Sequence, residues 1–582
     1  MSVCIDLVLP KLSSLNLRTC AGMQTLASRL AQLSGLTALQ LSANAIGDAA
    51  TGAVALAHVL ARLPKLADLR LARNALVDTD IEALAPAISG RVALTRLGLA
   101  ANAVSATGWW HLVTHALPPT LMHLDMSDND PCGSGRATAP AAATATSEAA
   151  KAMLARCTAL TCLRWSAATE AAQEPVDLFE RLPHLVRLGC LQWHGELFPT
   201  SLQHLELRRD RRTPFRDGEV PAFAAALAKL APLEALALFD THFDALSQAL
   251  PITQAIAGLR ALTSLQLRWS GRLEEPESFG ERTFGALCAC TQLRELSIDL
   301  RLIHAELEDL DPSLSRALQC WQQLRTLELS LYRESTYAVA CAAQHGPCCM
   351  RRLALQGCFA WPDGPAALSR LTALTSLHIS TLSAEDVHTH SAGQLAGLLQ
   401  EVTALQALER LEVRLQIKDM SNLHTFLACA ASLPCLRFLL LCSSVDGAVA
   451  TVAGYLTRLT QLHGLHLGCS HWPAPVVLQQ PISAAAYDRS PQQQQQYAEG
   501  HNHAVWRKLM GSLAPMTALQ VLTLTCGDGV HAASMHYSQA QHLAAQHPRL
   551  RVLGADVTDV PHEAVFEFEL ERDNSAHGLH FF

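Results

Sequence analysis

The residues best suited to chemistry in this chain are its cysteines and histidines. Cys341, His345, Cys348, Cys349 and Cys358 fall within one short stretch, and Cys288 with Cys290 forms a C-x-C pair. Soft thiolates with an imidazole at such spacing are the donor types of a tetrahedral zinc site. His388 with His390, and His501 with His503, are two-ligand fragments that need partners from elsewhere in the chain. The Gly-Ser-Gly turn at Gly133 to Gly135 lacks the lysine and the following helix that phosphate cradling requires. No P-loop, HExxH, GxSxG or kinase signature set occurs, so the sequence predicts a non-enzymatic protein without a cofactor.

Whether those donors converge depends on the elements that carry them, and a repeat organises these elements. The pattern LxxLxL recurs as Leu36, Leu39, Leu41 then Asn44; Leu66, Leu69, Leu71 then Asn74; Leu94, Leu97, Leu99 then Asn102; and Leu121, Leu124, Met126 then Asn129. Looser copies continue to Leu550, at a period of about 30 residues. That period accommodates one strand and one true α-helix per unit. The stretch DAATGAVALAHVLAR, residues 48–62, has the apolar spacing of such a helix. In this register Cys358 falls at the turn, Cys341 on the outer-helix side, and Cys348 with Cys349 just before the strand opening at Met350. Such scattered placement predicts ordinary small-residue packing and no metal site.

With this signature the chain resembles the leucine-rich repeat family, in particular its ribonuclease-inhibitor-like subclass. The resemblance implies an α/β leucine-rich repeat solenoid, a right-handed horseshoe with a parallel β-sheet on the concave face and α-helices on the convex face. Residues 1–558 then form a single solenoid of about 19 units. Two long spacings predict flexible insertions at 130–150, a Gly, Ala, Thr and Pro run, and at 472–503, which holds a Gln tract. Residues 559–582 read as a C-terminal cap or tail, because Phe566, Phe568 and Leu570 alternate with glutamates as in a half-buried strand. The Asn after each strand should satisfy backbone groups where the chain turns. Its loss in later units, where Thr241, Ser270, Arg301 or Tyr332 replaces it, predicts less uniform turns.

Composition narrows the partners. A net charge of −8 gives no general field for nucleic acid or an anionic membrane, and no apolar run is long enough to span a bilayer. The N-terminal MSVCIDLVLPK has no basic region and carries Asp6, which predicts no secretory signal. The scattered cysteines read as reduced core thiols. A cytoplasmic protein is expected, and the Ala-, Arg- and Gln-rich composition is similar to leucine-repeat chains of the cytoskeleton or ciliary axoneme.

Recognition is the chemistry that remains. The outward positions are bland in the early units, then include Arg187, Glu206, Arg208, Phe239, Arg268 and Asp299, with Trp269 one step further along. Arginine and aromatic side chains supply binding energy when desolvated, so these residues are the candidate partner-binding set. The same alternation of Arg and Glu also suits cross-strand ion pairs that merely keep a solvated sheet soluble. The expected function is a protein-protein interaction scaffold using the concave face or outer helices, with a protein partner and no small-molecule substrate. Two alternatives come with the resemblance: a substrate-recognition subunit of a ubiquitin ligase, which would bring an F-box, and a GTPase-activating protein resembling the Ran regulators.

Overall fold

The computed structural model describes residues 14–16, 30–48, 51–129, 157–165, 182, 184–190, 198–208, 215, 218–243, 246–271, 279–303, 310–330, 342, 344–356, 368–380, 400–417, 420–443, 448–469, 508–526, 534–536, 543, 545–547, 549–550, 552–554, 556–558 and 569–570. The predicted insertions at 130–150 and 472–503 lie outside them. So do Cys341, Cys358, His388, His390, His501, His503, Phe566, Phe568 and the side chain of Trp165. The chain divides into two compact units. One comprises Met1–Glu275, Ala286–Leu293 and Leu302–Ala305; the other comprises Pro276–Gly285, Arg294–Arg301 and Glu306–Phe582.

In the N-terminal unit the strands are Ser14–Asn16, Ala38–Gln40, Asp68–Arg70, Arg96–Gly98, His123–Met126, Cys162–Trp165, Arg187–Cys190, His204–Arg208, Ala235–Phe243 and Ser264–Gly271. Each pairs parallel with the next in chain order. The register is set by the repeat: Leu39, Leu69, Leu97, Leu124, Leu163, Leu188, Leu205, Leu236 and Leu265 lie side by side. All of them are buried, each contributing about 1.5–3 kcal/mol of apolar transfer. No unit could hide this leucine column alone, since neighbouring units supply part of its cover.

The asparagines tie the units together. The Asn74 side chain donates to the carbonyls of Leu41 and Ala72, and its Oδ1 accepts the Asn44 backbone N–H at 2.8 Å. Asn102 repeats this one unit later, donating to Leu71 and Leu99 and accepting from Asn74 and Leu76. Asn129 donates to Leu99 and Met126 and accepts from Val104. The turns they hold are strained. Ala43, Ala45, Arg73, Ala75, Ala101 and Asp128 adopt left-handed backbone with φ between 50° and 60°. A Cβ there costs about 1 kcal/mol that glycine avoids, less the extra entropy glycine loses on folding. Ala101→Gly is therefore expected to stabilise the unit by about 0.5 kcal/mol in urea unfolding. A fall in stability would show that the ladder has already absorbed the strain.

Helices Gly52–Ala61, Asp78–Ser89 and Ala106–His111 occupy the gaps between the early strands, and later ones span Glu219–Ala228 and Leu246–Ala257. Asp78, at the start of its helix, accepts hydrogen bonds from the backbone N–H (2.7 Å) and the hydroxyl of Ser105, which begins the next. A Cβ at Gly108 would lie 2.4 Å from Asp78 Oδ1, so a larger residue there would displace the carboxylate that holds Ser105.

The C-terminal unit repeats the design. Its strands Glu295–Ile303, Thr326–Ser330, Arg352–Gln356, Ser376–Ser380, Arg410–Ile417, Phe438–Ser443, Gly464–Cys469, Val521–Cys526 and Val552–Gly554 are parallel in chain order. Helices span Phe279–Leu287, Leu310–Cys320, Met420–Ser432 and Ala448–Leu456. The strand Glu569–Leu570, within the expected cap or tail, pairs parallel with Val552–Leu553. Parallel strands in repeat register with intervening helices make this an α/β leucine-rich repeat solenoid. Among the described residues no helix is long and apolar enough to cross a membrane.

Candidate functional site

Strand alternation sends the leucines to one side of the sheet and the residues between them to the other. In the N-terminal unit this second face is open: of its described side chains on strands Ala38–Gln40 to Ser264–Gly271, Ser270 alone is buried, at 5% exposed. Its middle row runs Arg70, Gly98, Asp125, Arg164, Gly189 and Glu206 on successive strands. The glycines decide how the charges meet. Arg164 crosses the strand of Gly189 to donate to Glu206 at 3.2 Å, and its guanidinium lies 3.9 Å from Asp125. A Cβ at Gly189 would press on Arg164 Cγ at 3.0 Å. At one end of the row Arg70 is held by Asp68 through two hydrogen bonds, which raise its pKa.

One step along, Phe239 sits between two cations. The guanidinium of Arg208 lies 5.3 Å from the ring centroid and that of Arg268 5.5 Å, distances at which the ring quadrupole attracts both. Arg208 also donates to Glu206 at 3.2 Å. The structure thus brings Glu206, Arg208, Phe239 and Arg268 into one cluster, joined by Arg164. Arg187 is exposed on the same face, in register with Cys162 and His204.

Trp269 and Asp299 complete the sequence-predicted set. Trp269 requires a correction: its side chain is 0% exposed, on the side of Leu265 and Leu267. Alternation from Arg268 turns it inward, and a register shift opposite Phe239 and Asp240 pairs Trp269 with Thr241. It therefore packs in the core and presents no contact surface. Asp299 is half-buried in the C-terminal unit, in register with Ser330.

Burial and charge act together on the titratable groups of the open face. The His123 imidazole is held below its usual range by burial, then by Arg96 and Arg187. His204 is lowered by burial and by Arg187, with Glu234 opposing. Burial raises the Cys162 thiol against the pull of Arg164, Arg187 and Arg96.

A second cluster, on the equivalent face of the C-terminal unit, is one that sequence reasoning missed. His378 Nδ1 lies 2.8 Å from Glu412 Oε2, Arg410 donates to the other carboxylate oxygen, and the Arg410 guanidinium stacks 4.2 Å from the Phe438 ring centroid. Phe438 can lie flat towards the next strand because Gly464 stands there; a Cβ would come within 2.4 Å of the ring. Burial pushes the Glu412 carboxyl up, but the hydrogen bonds and charges of His378 and Arg410 outweigh it and hold the group at about 2. Unlike the N-terminal face, the positions beyond are closed: Leu440 is 1% and His466 4% exposed. The signal was available, since His378, Glu412 and Leu440 share one position of the repeat, as do Arg410 and Phe438.

The cysteine and histidine candidates do not come together among the described residues. Cys348 is exposed, Cys349 directs its thiol to the carbonyls of Gln322 and Leu324, and His345 faces Gln319. The Cys290 thiol donates to the Ile256 carbonyl and is pushed up to about 12 by burial and by Cys288. A thiol at that value is protonated at neutral pH and inert as a nucleophile.

Fold and site together define a leucine-rich repeat solenoid with an exposed, arginine-rich sheet face. No family model matches the chain, and no curated protein matches it. Solved structures similar to it include an internalin from Listeria monocytogenes, at 15% identity and a TM-score of 0.25 over 77% of this chain and 87% of that one. TLR13 in complex with ssRNA13 is similar at 16% identity and a TM-score of 0.33, over 94% of this chain and 62% of that one. The plant peptide hormone receptor RGFR1 in complex with RGF2 gives 14% identity and a TM-score of 0.30, over 93% and 77%. Likenesses at this level carry nothing about what this chain binds.

Proposed function

We propose that this protein is a non-enzymatic scaffold that holds a protein partner on the open sheet face of its N-terminal unit. The observation that carries this reading is Phe239 clamped between Arg208 and Arg268 on a face left open to solvent. Ion pairs that only keep a sheet soluble need no aromatic ring between them. A half-exposed ring held by two guanidiniums is a rigid, amphipathic anchor of the kind that dominates interfaces. Repeats of about 30 residues with α-helical backs also favour the ribonuclease-inhibitor-like subclass. Cytoplasm, cytoskeleton or ciliary axoneme remains the proposed location, on composition alone.

The test is quantitative affinity capture with the full chain and two variants. Combining Arg208→Ala, Phe239→Ala and Arg268→Ala is expected to lower recovery of the specific partner about tenfold or more, the loss of one or two hot-spot residues. Glu82→Ala, on the exposed side of the helix Asp78–Ser89, is expected to leave recovery unchanged. Recovery that falls with Glu82→Ala and ignores the sheet variant would move the site to the helices.

A further inference from the structure

We infer that the open face of the N-terminal unit takes an acidic polypeptide segment in extended conformation, with carboxylates about four residues apart seated on Arg96 and Arg187. This rests on the reading above that the face holds a protein, and adds the chemistry of the partner.

Arg96 and Arg187 occupy the same row of the sheet, in the order Arg96, His123, Cys162, Arg187 on adjacent strands. Both are exposed. The acids of the neighbouring strands are already committed. Asp68, beside Arg96 in register, is taken up by Arg70 through two hydrogen bonds. Asp125 and Glu206 flank Arg164, and Glu206 also holds Arg208. Between the two arginines stand no charges of opposite sign, only His123 and Cys162. Both feel the positive field of the pair, which disfavours a protonated imidazole at His123 and favours the thiolate at Cys162. The row therefore offers two fixed cations with a neutral stretch between them.

Spacing selects the ligand. Three strand intervals of about 4.8 Å place the arginines about 14 Å apart, the length of about four residues of extended chain at 3.3–3.4 Å each. A peptide running across the strands can put carboxylates on both guanidiniums and uncharged residues over His123 and Cys162. Arginine suits the carboxylate because its planar fork can bind it with two parallel hydrogen bonds. A nucleic acid strand fits less well. Its unbroken phosphates would meet Asp68, Asp125 and Glu206, and Phe239, the aromatic a base would stack on, has the guanidiniums of Arg208 and Arg268 5.3 and 5.5 Å from its ring centroid.

The experiment is fluorescence anisotropy on the full chain. The probe is a labelled peptide of Ser, Thr and Gly with Glu at every fourth position. Matched controls carry Gln or Lys in place of Glu, and a single-stranded oligonucleotide of equal length is run in parallel. The Glu peptide is expected to bind at least about tenfold more tightly than the Gln peptide and to weaken as salt is raised. Arg96→Glu combined with Arg187→Glu, at two exposed positions that leave the circular dichroism unchanged, is expected to abolish that binding and to gain affinity for the Lys peptide. Equal binding of the Glu and Gln peptides, tighter binding of the oligonucleotide, or indifference to the double variant would overturn the inference. A partner lost on the Phe239 variant but indifferent to Arg96 and Arg187 would sink this inference alone. A partner indifferent to both sets would sink the scaffold reading as well.

Discussion

Replacing Asn102 with alanine is expected to destabilise the N-terminal unit by about 3–5 kcal/mol, more than any other single change on its turns. The side chain is 7% exposed and serves the backbone of two units at once. Without it the N–H groups of Asn74 and Leu76 lose their acceptor, and the carbonyls of Leu71 and Leu99 lose a donor, in a space closed to water. A buried backbone group left without its partner costs about 1–3 kcal/mol, so several together set the size of the effect. Asn44 gives the contrast. It is half-exposed and its side chain donates to Ser42 at 3.3 Å, so water can replace part of what is removed and Asn44→Ala should cost less than Asn102→Ala. Urea unfolding of the two variants checks the ordering. Hydrogen exchange checks the mechanism, because protection should fall at the amides of Asn74 and Leu76 and persist at the strand amides further along. Equal losses for both variants would mean that the asparagines act one by one and not as a ladder. In a repeat array stability is a sum of unit and nearest-neighbour terms, so an interior tie matters most.

Glu412→Gln is expected to cost about 3 kcal/mol at neutral pH and progressively less as the solution is made acidic. The carboxylate is held at about 2 in the folded chain against an ordinary value of 4.5. Between these two values the unfolded chain binds the proton more readily than the folded one. The stabilisation is therefore complete above pH 4.5 and is lost as the pH falls through about 2. Both partners of the hydrogen bond are largely shielded, with His378 14% and Glu412 12% exposed, so solvent screens the interaction only weakly. Glutamine keeps the shape and removes the charge that His378 and Arg410 face. The check is a set of urea midpoints for wild type and variant between neutral pH and pH 2. The gap should close towards the acid end, where the wild-type side chain is itself protonated and resembles the amide. A gap of constant size would show that packing around Phe438, and not charge, accounts for the loss.

The location of the candidate site was partly legible before any coordinates. Arg208, Phe239 and Arg268 were read as outward from their place in the repeat, and they form the core of the observed cluster. Trp269 follows Arg268 by one residue, so strand alternation past the irregularity at Phe239 and Asp240 sends it to the core. The quartet of His378, Glu412, Arg410 and Phe438 carries a weaker signal of arginine and aromatic content than the earlier units, since two of its four members are a histidine and a glutamate.

By itself the sequence determined the repeat: the spacing of the leucines dictated which strands exist, their parallel order, their register and the buried column. The reason is that each unit contacts chiefly its neighbours, so a periodic pattern along the chain becomes a periodic structure without long-range choices. The roles of Asn74 and Asn102 follow in the same way, since an amide at a fixed place in every unit finds the same carbonyls. Only the tertiary structure decided which outward side chains meet. Arg164 and Glu206 are 42 residues apart and join because a glycine stands on the strand between them. His378 and Glu412 are 34 apart and pair across one strand interval. Such contacts depend on irregular unit lengths, on the reach of each side chain and on where a missing Cβ leaves room, and none of these has a period to be read.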